Sequence, residues 1–158
     1  MTAAPVAQHY ENFPVASLLL PARLRPAVAA IYAFARSADN FADEGDLPPT
    51  ERQAQLLAYR RELARIAADE PTEHPIFLRL RPHISAHALP LSLFDDLLAA
   101  FLQDVEQDRY ASYAELLDYC RRSANPVGRL LLHLFDAATP DNLRHSDAIC
   151  SALQLINH

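Results

Sequence analysis

Apolar residues recur every three to four positions along nearly the whole chain, and only two glycines break the pattern. An apolar repeat of that period marks helices with one buried face. So few glycines leave little room for tight turns or a glycine-rich phosphate loop. Twelve prolines, mostly set between periodic segments, punctuate helices instead. The fold class is all-α. The 158 residues are enough for one domain, and 51% apolar content is enough for its core.

The pattern predicts a first helix from Arg23 to Glu44, with Pro21 and Pro26 near its start and Gly45 as its stop. Thr50 is expected to cap a second helix reaching Asp69, with Leu56, Leu57, Leu63 and Ile66 on one stripe. A shorter helix covers His74 to Ala88. Ser92, with Asp95 three residues on, opens the next, which runs to Asp108. Ser112 and Glu115 form a similar start for a helix that reaches Asp136 and bends near Pro126, which has no amide hydrogen to donate. The last helix begins between Asp141 and Ser146 and is still running at His158.

Charge and cysteine usage narrow the function classes. The net charge is −6, and all 14 basic residues are arginine. That balance argues against nucleic acid as a partner, which calls for a basic patch. Two cysteines are too few for a disulfide scaffold and suggest a reducing compartment. No secretory apolar core follows Met1, and no apolar run reaches the roughly 18–20 residues of a membrane span. The expectation is a cytoplasmic chain, with peripheral contact with the inner membrane left open.

Within the first helix, Asp39 and Asp43 lie four residues apart. That spacing puts both carboxylates on one face, with Cβ atoms roughly 5–6 Å apart. Like charges so placed destabilise a helix unless something positive offsets them. Arg36 lies one turn earlier on the same stripe, and the rest of the segment is apolar. An acidic pair inside an apolar helix suits Mg²⁺, which takes one or two carboxylates and leaves its other positions to water and phosphate oxygens. The alternative is a solvated acidic face that shows the same spacing.

The residues around the pair carry a resemblance. Arg36-Ser37-Ala38-Asp39-Asn40-Phe41-Ala42-Asp43-Glu44 resembles the first aspartate-rich motif of the squalene/phytoene synthase family. The stretch from Tyr119 to Gly128 matches a second family helix in outline, and Ala152 to Asn157 matches the start of the second metal motif. The segment from His9 to Ser17, the Asn125–Pro126 pair and the closing Leu155 to His158 are most similar to the branch making hydroxysqualene in bacterial hopanoid biosynthesis. The resemblance runs from about residue 9 to the end. It implies an isoprenoid synthase-like helical bundle around an apolar cavity. In the family the second aspartates lie just beyond Asn157 and further helices follow. Residues 1–158 therefore look like the N-terminal portion of a longer synthase domain, apparently truncated, and the activity of these residues alone is in doubt.

The resemblance also implies roles. Asp39 and Asp43 hold Mg²⁺, with Asn157 near a second metal. Arg36, Gln154 and, more weakly, His9 with Asn12 meet diphosphate oxygens. Tyr32 borders the diphosphate pocket, although a buried structural tyrosine fits there equally. Arg122 stands where reductive relatives carry a tyrosine, and Asn125 replaces a family glycine. A solvated surface arginine is the alternative for Arg122. Asp104 and Asp108 read as structural partners of nearby arginines such as Arg109, and Glu44 as a solvated helix end. His83 and His87 have the spacing of two zinc ligands, but no third is apparent.

The implied reaction is Mg²⁺-assisted ionisation of presqualene diphosphate, followed by water capture to give hydroxysqualene. No NADPH is implied. Two other readings stay open: head-to-head condensation of prenyl diphosphates, as in squalene or phytoene synthases, and a non-catalytic assembly or interaction protein on the same fold. Oligomeric state is not readable from the sequence.

Overall fold

The computed structural model describes residues 20–43, 46–106 and 112–157, with the backbone alone at 43, 120 and 149–157. Every regular element among them is helical. A 3₁₀ turn at Ala22–Leu24 leads into α1 (Arg25–Asp43). Then come α2 (Pro49–Ala67), α3 (Pro75–His87), α4 (Leu91–Glu106), α5 (Tyr113–Ser123), α6 (Asn125–Leu134) and α7 (Pro140–Asn157).

The core is built around α1. Ala27, Ile31, Phe34, Ala38 and Ala42 recur at helical spacing and are buried. Small residues dominate this face, so α2, α3 and α4 can all approach α1 closely. Phe34 is fully buried and meets an aromatic ring from each of those three helices. Its centroid lies 5.9 Å from Tyr59, 5.8 Å from Phe77 and 5.3 Å from Phe94, the last two edge-on. On its other sides α4 packs against α5 and α6, and α7 closes over α5 and α6. Thus α4 is the wall shared by α1 and the later helices.

Several helix starts differ from the sequence reading, those of α2 and α7 for one reason. Proline at the first helical position has its φ already set and no amide hydrogen to leave unpaired. It therefore starts a helix ahead of the nearby hydroxyl or acid. Helix α2 begins at Pro49, so Thr50 lies inside it and is not the cap. Helix α7 begins at Pro140, with Thr139 accepting the Asn142 amide at 3.2 Å. Helix α4 begins at Leu91, just after Pro90, and its Ser92–Asp95 box does not organise the start. Asp95 instead pairs with Arg60 of α2, Nε to Oδ1 at 2.9 Å. The Ser112 start is as expected, its hydroxyl accepting the Glu115 amide at 3.2 Å. Near Pro126 the expected bend is a full break at Ala124, and Pro126 lies in the first turn of α6.

The stripe on α2 also needs correction. Leu56 and Leu63 are buried, but Leu57 is 43% exposed. Tyr59 takes the intervening core position, because 56, 59, 63 and 66 follow the helical repeat and 57 falls about 100° to the side of 56.

Scarce glycine has a visible cost. Asp69, Ala88 and Asp136 adopt positive φ of 56°, 49° and 55°. Each follows the end of a helix, where glycine is the usual choice. The reverse bonds Glu70 N to Arg65 O (2.8 Å), Leu89 N to Ile84 O (3.0 Å) and Ala137 N to Leu132 O (2.9 Å) close the three ends.

Candidate active site

Beside its core face, α1 carries a second stripe. Tyr32, Arg36, Asp39 and Asp43 follow one another at intervals of three or four residues, which stacks them along one side of the helix. Arg36 Nη1 donates to Asp39 Oδ2 at 3.1 Å. The arginine side chain is only 13% exposed and the aspartate 35%. A largely buried guanidinium therefore flanks a carboxylate that still reaches solvent. The positive partner demanded by the close acidic pair is present, within one turn.

Hydroxyls from the inner face steady the same helix. Tyr59 Oη of α2 donates to Ser37 Oγ at 2.9 Å, and Ser37 Oγ donates to the Phe34 carbonyl at 2.9 Å. Burial raises the Tyr59 phenol above its ordinary pKa, against the opposing effect of the Ser37 bond, so it stays protonated and donating. At the C-terminal end, Arg52 Nη1 of α2 donates to the Ala42 carbonyl at 2.7 Å. Neither Tyr59 nor Arg52 is expected from the sequence, because no spacing rule links residues across the turn between two helices.

The donor set suits a hard divalent cation. Asp39 offers a partly solvated oxygen donor, position 43 repeats the residue type one turn on, and Arg36 offers a planar donor for an anion's oxygens. Asp43 is the last residue of α1, placed by its backbone. Gln154 and Asn157 are likewise placed by backbone, three apart in the last turn of α7. His9, Asn12, Glu44, Asp108 and Arg109 lie outside the described residues. Asp104 lies on α4.

Arg122 lies on α5, which packs against α4, α6 and α7. Its Nη2 pairs with Asp118 Oδ2 at 2.8 Å, and its Nη1 donates to Gln103 Oε1 of α4 at 3.2 Å. Arg121 reaches the other oxygen of Asp118 at 2.6 Å and is 63% exposed. The two arginines thus share one carboxylate, and only Arg122 also ties to α4. Further along, Arg129 of α6 holds Asp147 of α7 with two nitrogens, Nε to Oδ1 at 2.9 Å. This contact holds the Arg129 guanidinium above its ordinary range.

Two other features stand apart from the stripe. A shallow cleft of about 280 Å³ lies along α2, lined by Phe41, Gln55, Tyr59, Arg61, Glu62 and His74 among others. None of Tyr32, Arg36, Asp39 or Arg122 lines it. His83 and His87 share a face of α3, and among the described residues no cluster of three metal-ligating side chains forms. Burial, then His87 and Arg79, push the His83 pKa below its ordinary value.

A squalene/phytoene synthase family profile matches residues 6–158. The chain belongs to that family. It is 42% identical over 149 residues to the hydroxysqualene synthase of Zymomonas mobilis, covering 94% of this chain and 49% of that protein. It is 31% identical over 147 residues to a presqualene diphosphate synthase of Rhodopseudomonas palustris, covering 92% of this chain and 52% of that protein. Among solved structures it is similar to squalene synthase HpnC from Alicyclobacillus acidocaldarius, with 43% identity and a TM-score of 0.85 over 96% of this chain and 56% of that one. The fold is that of an isoprenoid synthase-like helical bundle. The chain spans about half the length of the curated relatives it matches. Among the described residues, no helix is long and apolar enough to cross a membrane.

Proposed function

We propose that these residues carry the first aspartate face of a Mg²⁺-dependent site that converts presqualene diphosphate to hydroxysqualene. The observation that carries the reading is the paired Arg36 and Asp39 on the second stripe of α1, in a chain 42% identical to a hydroxysqualene synthase. Asp39 and Asp43 would hold the metal, and Asn157 a second one. Mg²⁺, when bound, supplies charge that stabilises the departing diphosphate. Arg36, with Gln154 and His9, would orient that diphosphate; an arginine fork suits its oxygens. Tyr32, one turn before Arg36, would border the same anion.

In the reaction, the carbon–oxygen bond to diphosphate breaks and its electron pair leaves with the anion. The cyclopropylcarbinyl cation rearranges. A water oxygen bonds to the cation and loses a proton, giving hydroxysqualene and diphosphate. The protein's share is to hold the leaving group, surround the cation with apolar side chains and admit one water. Arg122 stays protonated and would retain the anion after ionisation.

The test is to incubate the whole protein with presqualene diphosphate and Mg²⁺ and identify the product. Hydroxysqualene is expected. The similarity to a presqualene diphosphate synthase favours a second reading, condensation of two prenyl diphosphates. A condensed product from farnesyl diphosphate, with presqualene diphosphate left untouched, would establish that one instead.

A further inference from the structure

The described part of helix α1 runs to Asp43, and the last carbonyls of any helix lack partners within it. Positions 39 and 43 are both aspartate in these last turns, where the helix dipole is already negative. Both effects favour fraying where the acidic pair needs a fixed spacing. The basic side chain that answers them comes from the neighbouring helix. Arg52, in the first turn of α2, places Nη1 2.7 Å from the Ala42 carbonyl, between the two acidic positions in sequence. Its Nε is buried and has no hydrogen-bond partner among the described residues.

We infer that Arg52 is a positioning residue for the acidic pair: seated on the Ala42 carbonyl, its guanidinium keeps the last turn of α1 helical, so that residues 39 and 43 stay on one face. It touches neither substrate nor metal. The inference rests on the reading of Asp39 and Asp43 as Mg²⁺ ligands. Arg60, two turns further along α2, serves as an internal control, because its partner is Asp95 of α4. Removing it takes away an equal charge without touching α1.

The experiment uses the full chain with Mg²⁺ and inorganic pyrophosphate as probes. Calorimetry gives the Mg²⁺ concentration that half-saturates pyrophosphate binding, and amide hydrogen exchange reports on residues 40–43. In Arg52→Gln, exchange in that turn should speed up and half-saturation should move about tenfold higher, the scale of one lost charge-assisted hydrogen bond. Arg52→Lys, which keeps a charge and a donor, should recover most of both. Arg60→Gln should change neither.

Normal exchange and normal Mg²⁺ dependence in Arg52→Gln overturn the inference, as does an equal shift in Arg60→Gln. The Lys variant guards against misfolding: if it folds and shows the full defect of the Gln variant, the carbonyl bond is not what matters. Asp39→Asn separates the underlying reading. If it binds Mg²⁺ and pyrophosphate like the natural chain, or if the natural chain shows no Mg²⁺-dependent binding, the metal assignment fails and the inference falls with it. Fast exchange in Arg52→Gln would then record a helix cap alone.

Discussion

Asp39 and Arg36 are the residues on which the functional reading turns. Asp39→Asn keeps the shape and the bond to Arg36 but removes the charge that would hold a cation. It should lower turnover of the whole protein by orders of magnitude at saturating Mg²⁺ and leave the helical circular dichroism unchanged. Arg122 and Arg121 make a sharper test because they share Asp118. Only Arg122 reaches Gln103 of α4. Arg122→Tyr should therefore slow hydroxysqualene formation or change the product mixture, and Arg121→Ala should do much less; product analysis of both variants decides. His83 gives a pH prediction. Its folded pKa is below the ordinary 6.5, with burial the main cause. Between the two values the unfolded chain binds more protons, so stability rises with pH there. Its contribution is present above 6.5 and is lost as pH falls through the folded value. Melting of natural protein and His83→Gln across that window should show the natural protein losing more on acidification.

At the scale of the element, helix ends carry most of the departures from simple pattern. A chain with two glycines must close three helix ends on Asp69, Ala88 and Asp136. Aspartate tolerates the left-handed region better than alanine does. Ala88 is therefore the costly member of the set, at φ 49° after α3. Ala88→Gly should stabilise the protein by about 1 kcal/mol, the size of the left-handed penalty it removes less the added freedom of the unfolded chain. At this chain length that corresponds to roughly 2–4 °C in the melting midpoint. A lower midpoint would mean that the alanine methyl makes contacts outweighing the strain.

For the whole molecule, Phe34 joins three helices to α1 through one ring. Deleting that ring opens a void between α2, α3 and α4 at once, and the close-packed rings around it cannot all move in to fill it. Phe34→Ala should cost about 3–5 kcal/mol in denaturant unfolding. Because Phe34 lies two residues before Arg36 on the same helix, the same variant should also blur the Arg36–Asp39 stripe. Its loss of activity should therefore exceed the loss of folded protein. Leu57, on α2 but 43% exposed, gives the contrast: Leu57→Ala should leave the midpoint within a degree or so.

The all-α class, six helical stretches and the acidic stripe were legible in the sequence because each is a local matter; the break that divides the fifth stretch into α5 and α6 was read only as a bend. A 3.6-residue repeat decides which side chains share a face, and Asp39, Asp43, Arg36 and Tyr32 share one whatever surrounds the helix. The family was legible from ordered motifs. Some local competition was misread: at Pro49 and Pro140 a preset φ starts the helix before Thr50 or Asp141 can. What only the tertiary structure decided lies between elements. Asp95 answers Arg60 rather than its own helix start, and Arg122 finds Gln103. Arg52 reaches back ten residues to the Ala42 carbonyl of α1. No periodicity encodes such a contact, because it depends on where the turn between two helices delivers the second one. The sequence supplied the carboxylates and their face; the packing of α2 against α1 supplied the hold on the turn that carries them.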